Sequence, residues 1–226
     1  NKRASNHALP TCGNTWFTHL VYTLGLHTWF THLVYTTKIN GEQFMAEQFE
    51  SLTSDQIEFI ERQYLFFVGT AGAEGKINVS PKGMDSLRVI NPNELVWLNL
   101  TGSGNETAAH VIENNRMTVM FCSFEKQPLI LRLYGTAKII YPRETKKFEQ
   151  YADMFNHQPG SRQFFELKID MAQTSCGFAV PLFDLSGERD TLAKWATKQG
   201  DEGVSQYWAD RNQVSLDGKP TNILDL

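Results

Sequence analysis

The chain has 226 residues, of which 41% are hydrophobic and 20% charged, the balance of an ordinary globular protein with one well-buried core rather than a disordered or fibrous chain. A formal net charge of −4 argues against a protein built to neutralise a phosphate backbone, so nucleic acid is not an expected partner. No window approaches the ~20 consecutive apolar residues of a membrane span, and no export pattern opens the chain. Cys12, Cys122 and Cys176 are widely spaced and lack a CxxC pair, which disfavours a disulfide framework or a zinc site; a cytoplasmic protein with no membrane partner is expected.

In chain order, residues 1–44 stand apart. The nonapeptide TWFTHLVYT occurs at 15–23 and again, identically, at 28–36. Natural stacking repeats drift in sequence and need about three copies to bury a core, so this segment reads as appended, with Met45 as the expected native start and residues 45–226 as the folded domain. Its β-branched and aromatic density suggests an extra β ribbon linked at 24–27. His19, His27 and His32 lack a nearby Cys or carboxylate at ligand spacing, so no metal site is assigned.

Residues 54–63 (SDQIEFIERQ) predict a short amphipathic helix with a Ser N-cap and Ile57, Phe59 and Ile60 at helical intervals. Residues 64–70 and 76–80 predict an antiparallel pair around the Gly-rich turn at 71–75, and 86–90 and 94–100 a second pair around Asn91, Pro92 and Asn93. A polar loop, Thr101 to Asn105, leads into a helix at 106–115 with Ala108, Val111 and Ile112 inward. Strands follow at 116–123 and 129–140, where Leu131, Leu133 and Gly135 alternate with Arg132 and Tyr134. A helix at 144–155, a strand at 163–170, and helices at 188–198 and 202–212 separated near Gly200 complete the chain. Strands do not alternate regularly with crossover helices, so the expected fold is mainly β with helices (α+β), an antiparallel β-barrel of about six strands with covering helices.

The densest chemistry lies at 78–107. Lys82 and Arg88 are expected on or beside one strand pair, and TGSGNET presents backbone N–H groups and hydroxyls at the opening of a helix, where the dipole favours an anion. By spacing alone the loop fits a phosphate site and an ordinary helix cap equally, since it matches neither a P-loop nor a dinucleotide fingerprint. Cys176 reads as a small buried hydrophobe more readily than a reactive thiol. His110 and the helix tryptophans Trp195 and Trp208 read first as structural. No Ser/His/Asp arrangement presents itself, and Asp85 and Glu106 do not form an obvious acid–base pair.

SPKGMD at 80–85, LTGSGNETAAH at 100–110 and SCGF at 175–178, in this order and strand context, resemble the pyridoxamine 5′-phosphate oxidase-like proteins over residues 49–226. That resemblance implies an FMN-binding split β-barrel, a homodimer with flavin at the subunit interface, and FMN-dependent oxidoreductase activity on a small molecule. It implies flavin phosphate contacts from Ser80, Lys82, Gly83, Ser103, Asn105 and Thr107, ring-edge contacts from Asn99, Leu100 and Thr101, Cys176 packed near the ring, and Trp195 covering it from the partner. The chain departs from the oxidase itself, because Gly104 and Asn105 replace a basic pair and the C-terminal Arg and His substrate motif is not evident. A deazaflavin or haem in the same fold, and a non-catalytic flavin-binding or sensing protein, are the alternative readings.

Overall fold

The computed structural model describes residues 35–39 and 42–224; the first repeat, most of the second, their linker and His19, His27 and His32 lie outside the described residues. β1 (Tyr35–Ile39) and β2 (Glu42–Ala46) pair antiparallel as a two-stranded ribbon.

A larger antiparallel sheet follows, formed by β3 (Gln48–Phe49), β4 (Phe66–Thr70), β5 (Asn78–Lys82), β6 (Leu87–Asn91), β7 (Glu94–Leu100), β8 (Arg116–Cys122), β9 (Ile130–Ile140) and β10 (Ser161–Ser175). Its order is β5-β4-β8-β9-β10-β7-β6, with β3 also on β10. Four helices accompany it: α1 (Ser54–Glu61), α2 (Glu106–Asn114), α3 (Thr145–Met154) and α4 (Thr191–Arg211). The mainly β, α+β expectation is met, but the sheet has eight strands rather than about six, and its pairing path is open between β5 and β6. The strand with no counterpart among those expected is β3, and β10 is longer than expected. It runs for 15 residues, bent by irregularities after Ser161 and Ile169, and so serves β7, β9 and β3 in turn. Its last third, Met171 to Ser175, is too polar to read as strand from the sequence.

The apolar run of β7 is buried on both faces. Leu95 and Trp97 enter the main core with Phe66, Phe121, Leu131, Leu133 and Phe165, and the helices α1 and α2 contribute Phe59, Ile60, Ala108 and Val111 to it. Val96 and Leu98 face a second cluster, where Phe148, Tyr151 and Phe155 of the α3 region pack on Ile140 and Phe164. A strand covered on both sides carries continuous apolar sequence instead of alternation. Trp97 stacks on Phe165 with ring centroids 4.8 Å apart, and Phe66 meets Trp97 edge-on at 6.3 Å, which fixes the floor beside β5.

Element ends show the local physics. α1 is capped by Thr53, not Ser54: the Thr53 hydroxyl accepts from the Gln56 N–H at 3.3 Å, and the Gln56 side chain accepts from the Thr53 N–H at 3.1 Å. Ile112 of α2, expected inside, is 42% exposed, and the buried face is instead Thr107 to Val111. The two predicted C-terminal helices form α4, kinked at Gly200, where φ is +66°.

Gly135 of β9 allows a close approach, since a Cβ there would lie 1.9 Å from the Lys168 carbonyl oxygen of β10. Gly135→Ala is therefore expected to destabilise the fold by at least about 2 kcal/mol, because backbone must separate from backbone. Thr53→Ala, which removes only a cap, should cost about 1 kcal/mol. Urea midpoints at constant m-value check both.

Candidate functional site

β5 alternates, with Asn78, Ser80 and Lys82 on its partly buried face and Val79, 64% exposed, on the other. Asn78 Nδ2 donates to Thr107 Oγ1 at 3.2 Å, which joins β5 to the first turn of α2, the juxtaposition that the sequence requires for an anion site. Farther along β5, the Lys82 side chain passes over Trp97, placing Nζ 5.2 Å from the ring centroid. Burial there pulls the Lys82 pKa from 10.5 down to about 8, and the positive charge of Arg162 adds to the shift.

The loop from Thr101 to Asn105 is held from below. Thr101 Oγ1 donates to the Gly160 carbonyl at 2.8 Å and accepts from Trp208 Nε1 at 2.9 Å. The Gly102 carbonyl accepts from Asn212 Nδ2 at 3.1 Å, and the Gly104 carbonyl from Arg162 Nη1 at 2.9 Å. The Asn105 side chain makes a reciprocal amide pair with Gln163, at 2.8 and 3.3 Å, and so does not cap α2. The N–H groups of Ser103, Gly104, Asn105, Glu106 and Thr107 donate to no protein acceptor among the described residues. Free amides at a helix start are a place where negative charge is favoured. Ser103 is exposed at its rim, while Asn105 and Thr107 are buried. The Glu106 carboxylate turns to the Leu216 N–H, with both oxygens at 3.0 Å.

Arg162 is the feature that sequence reasoning missed. It falls in the β10 irregularity, between Ser161 paired with Leu100 and Gln163 paired with Asn99, so it has no partner in register on β7. Such a bulge re-aims a side chain. Arg162 is 3% exposed, its Nη1 also donates to Asn212 Oδ1 at 2.8 Å, and its Nε has no partner. With the Asn99 amide oriented by its hydrogen bonds, the Asn99 oxygen accepts from Arg162 Nη2 at 2.9 Å and the Asn99 NH2 donates to the Leu100 carbonyl at 3.3 Å. Desolvation pulls the Arg162 pKa down to about 10, partly opposed by Tyr207. Among the described residues, no carboxylate pairs with Lys82 or Arg162. The only sequence cue is a basic residue just before the Phe164–Phe165 pair of a strand; its chemistry needs residues 50 and 58 positions away.

Other predicted residues lie elsewhere or are otherwise engaged. Arg88 grips Asp85 through two contacts, of 2.6 and 2.7 Å, and covers Phe155. His110 is buried against Thr70, with Nδ1 3.1 Å from the hydroxyl. Trp195 packs edge-on against Tyr207 of its own helix at 5.1 Å. Cys176, expected as a buried packing residue, is exposed, because β10 ends one residue earlier and the chain leaves the sheet. A cleft of about 300 Å³ opens beside Gly83, walled by Tyr64, Phe66, Ser86, Arg88 and Phe121; the amide loop lies outside it.

Residues 52–176 match the family described as Pyridoxamine 5′-phosphate oxidase. The chain belongs to this family. It is also 37% identical, over 190 residues covering 76% of each chain, to the pyridoxamine 5′-phosphate oxidase family protein ustO of Aspergillus flavus. Among solved structures, it is similar to a putative pyridoxamine 5′-phosphate oxidase from Lactobacillus delbrueckii, at 18% identity and a TM-score of 0.46 over 55% of this chain and 94% of that one. The FAD binding protein from Mycobacterium smegmatis aligns at 13% identity and a TM-score of 0.38, over 55% and 96% of the two chains. For this family member, the matched stretch contains β4 to β10 and so includes Lys82, the amide loop and Arg162, whereas Trp208 and Asn212 lie beyond it.

The depressed pKa of Lys82 has a definite sign. Below pH 8, folded and unfolded chains both carry the proton and the fold bears the whole desolvation penalty; between pH 8 and 10.5 the folded lysine releases its proton first, so stability rises. In the ligand-free protein, Lys82→Met should add roughly 2–3 kcal/mol at pH 7 and flatten the rise between pH 8 and 10.5 in denaturant titrations.

Proposed function

We propose that the protein is an FMN-dependent oxidoreductase with a small-molecule substrate, working in the cytoplasm as a homodimer. The observation that carries this reading is the pairing of five unused amides at the start of α2 with two desolvated cations, Lys82 and Arg162, that no carboxylate neutralises. Burying cations without a counter-charge is costly, and a phosphate monoester supplies both the charge and the acceptors this arrangement lacks. Ser80, Lys82, Gly83, Ser103, Asn105 and Thr107 are proposed to surround the phosphate, with Asn105 acting through its N–H because its side chain is held by Gln163. Asn99, Leu100 and Thr101, at the end of β7, would border the ring in a split barrel of the flavin-binding type.

When bound, the flavin supplies the electron and hydride chemistry. The chain's own contribution is to bind the phosphate, orient the ring through backbone groups and exclude water with the aromatic floor of Phe66, Trp97 and Phe165. His110 is held by Thr70, and Asp85 and Glu106 have other partners, so none of them is assigned the role of acid or base.

The dimer reading is supported by the outward face of β4, β8, β9 and β10, where Phe67, Met120, Arg132 and Gln173 lie in register and remain partly exposed. A neighbouring open groove of about 480 Å³ contains Gly69, Thr118, Tyr134 and Thr136. Ile77, 76% exposed, and Val79 add apolar surface at the β5 edge, as an interface core requires.

FMN added to the protein is expected to bind with quenching of its fluorescence, and Lys82→Ala to weaken the affinity roughly 10–100-fold, the worth of a charge-assisted contact. Protein that takes up no FMN, or a variant with unaltered affinity, would contradict the assignment. Phe67→Glu should convert a dimer to monomer in sedimentation equilibrium; an unaltered mass would place the interface elsewhere.

A further inference from the structure

The free amides of the loop point outward because something holds their opposite ends. In a trans peptide the carbonyl of one residue and the N–H of the next point in opposite directions. The Gly102 carbonyl is fixed by Asn212 Nδ2 at 3.1 Å, so the Ser103 N–H is turned away from Asn212. The Gly104 carbonyl is fixed by Arg162 Nη1 at 2.9 Å, so the Asn105 N–H is turned away from Arg162. The two anchors are themselves joined, since Arg162 Nη1 donates to Asn212 Oδ1 at 2.8 Å.

Asn212 is the residue that ends α4. Its side chain is fully buried, and its N–H donates back to the Trp208 carbonyl at 3.0 Å. Trp208, one turn earlier on the same helix, donates its indole N–H to Thr101 Oγ1. One end of α4 therefore grips the loop at Thr101 and Gly102, while the β10 bulge grips it at Gly104.

We infer that Arg162 and Asn212 are positioning residues for phosphate recognition: they aim the Ser103 and Asn105 N–H groups at the anion from beneath the loop. This makes the end of α4 a determinant of selectivity for a phosphorylated flavin over its dephosphorylated form. The inference rests on the FMN reading above. Arg162 acts here through its fork as well as its charge: Nη1 donates to the Gly104 carbonyl and to Asn212 Oδ1 while Nη2 donates to the Asn99 oxygen. A lysine keeps the charge and loses the fork.

The test compares FMN with riboflavin, which lacks only the phosphate. Each is titrated by fluorescence quenching into the full-length chain and into Asn212→Ala and Arg162→Lys, with thermal midpoints recorded alongside. The unaltered protein is expected to prefer FMN by at least about tenfold; each variant should lose most of that preference while its riboflavin affinity stays within about threefold. Equal weakening of both ligands, or an FMN preference that survives in Asn212→Ala, overturns the positioning role and leaves the FMN reading standing. An unaltered protein that binds riboflavin as tightly as FMN removes the phosphate reading itself. Should Arg162→Lys fail to fold, Asn212→Ala decides the question alone, since it leaves the guanidinium and its bond to Gly104 in place.

Discussion

A guanidinium buried without a carboxylate is the constraint around which this structure is arranged. Arg162 is 3% exposed, and its fixed contacts are neutral oxygens: the Gly104 carbonyl, the Asn212 side chain and the Asn99 amide. Neutral acceptors meet its two Nη groups, leave Nε without a partner and leave its charge uncompensated, and Lys82 adds a second cation within its field. The fold accepts that cost at a single place, beside a loop whose amides are also unused. In a chain of net charge −4, two desolvated cations thus lie close enough for Arg162 to shift the titration of Lys82, and Arg162 is bonded to the loop that carries the unused amides.

Three distant pieces of chain must meet for this to work. β7 delivers the loop, the irregular start of β10 delivers Arg162, and the end of α4 delivers Trp208 and Asn212. The C-terminal residues then tie the arrangement to the rest of the domain: Leu216 binds Glu106, Asp217 pairs with Lys76 at 2.8 Å, Lys219 meets Glu113, and Tyr141 donates to the Thr221 carbonyl at 2.7 Å. Ile223 finally enters the main core. The tail thus contacts both ends of α2, at Glu106 and Glu113, while Arg162 and Asn212 hold the loop through its carbonyls.

Much of the local structure was legible in the chain. β7 occupies the predicted 94–100, and α2, β8 and β9 begin within a residue of their expected places, because each is bounded by strong turn or cap signals such as Asn91 to Asn93 and Asn115 at φ +50°. The loop at 101–107 was recognisable as a donor-rich helix entry, and Asn78 bonded to Thr107 brings β5 to it as expected. Less legible were the roles within the loop. The Asn105 side chain is engaged by Gln163, which leaves only its N–H for a ligand, while Cys176 looked like a buried hydrophobe and is exposed. Both outcomes turn on partners 58 positions away or on where β10 stops, which no local pattern encodes.

The sequence by itself determined the class of fold, the family motifs and the chemical type of the loop, because periodicity, turn residues and glycine placement act over a few neighbouring positions. Only the tertiary structure decided which groups gather around the loop. A one-residue irregularity in β10 turns Arg162 under the loop, and the end of α4 brings Asn212 to the same carbonyl row. Side-chain direction at a bulge and contacts across more than 50 residues depend on the register of the whole sheet, and register is fixed only when the strands pack against one another.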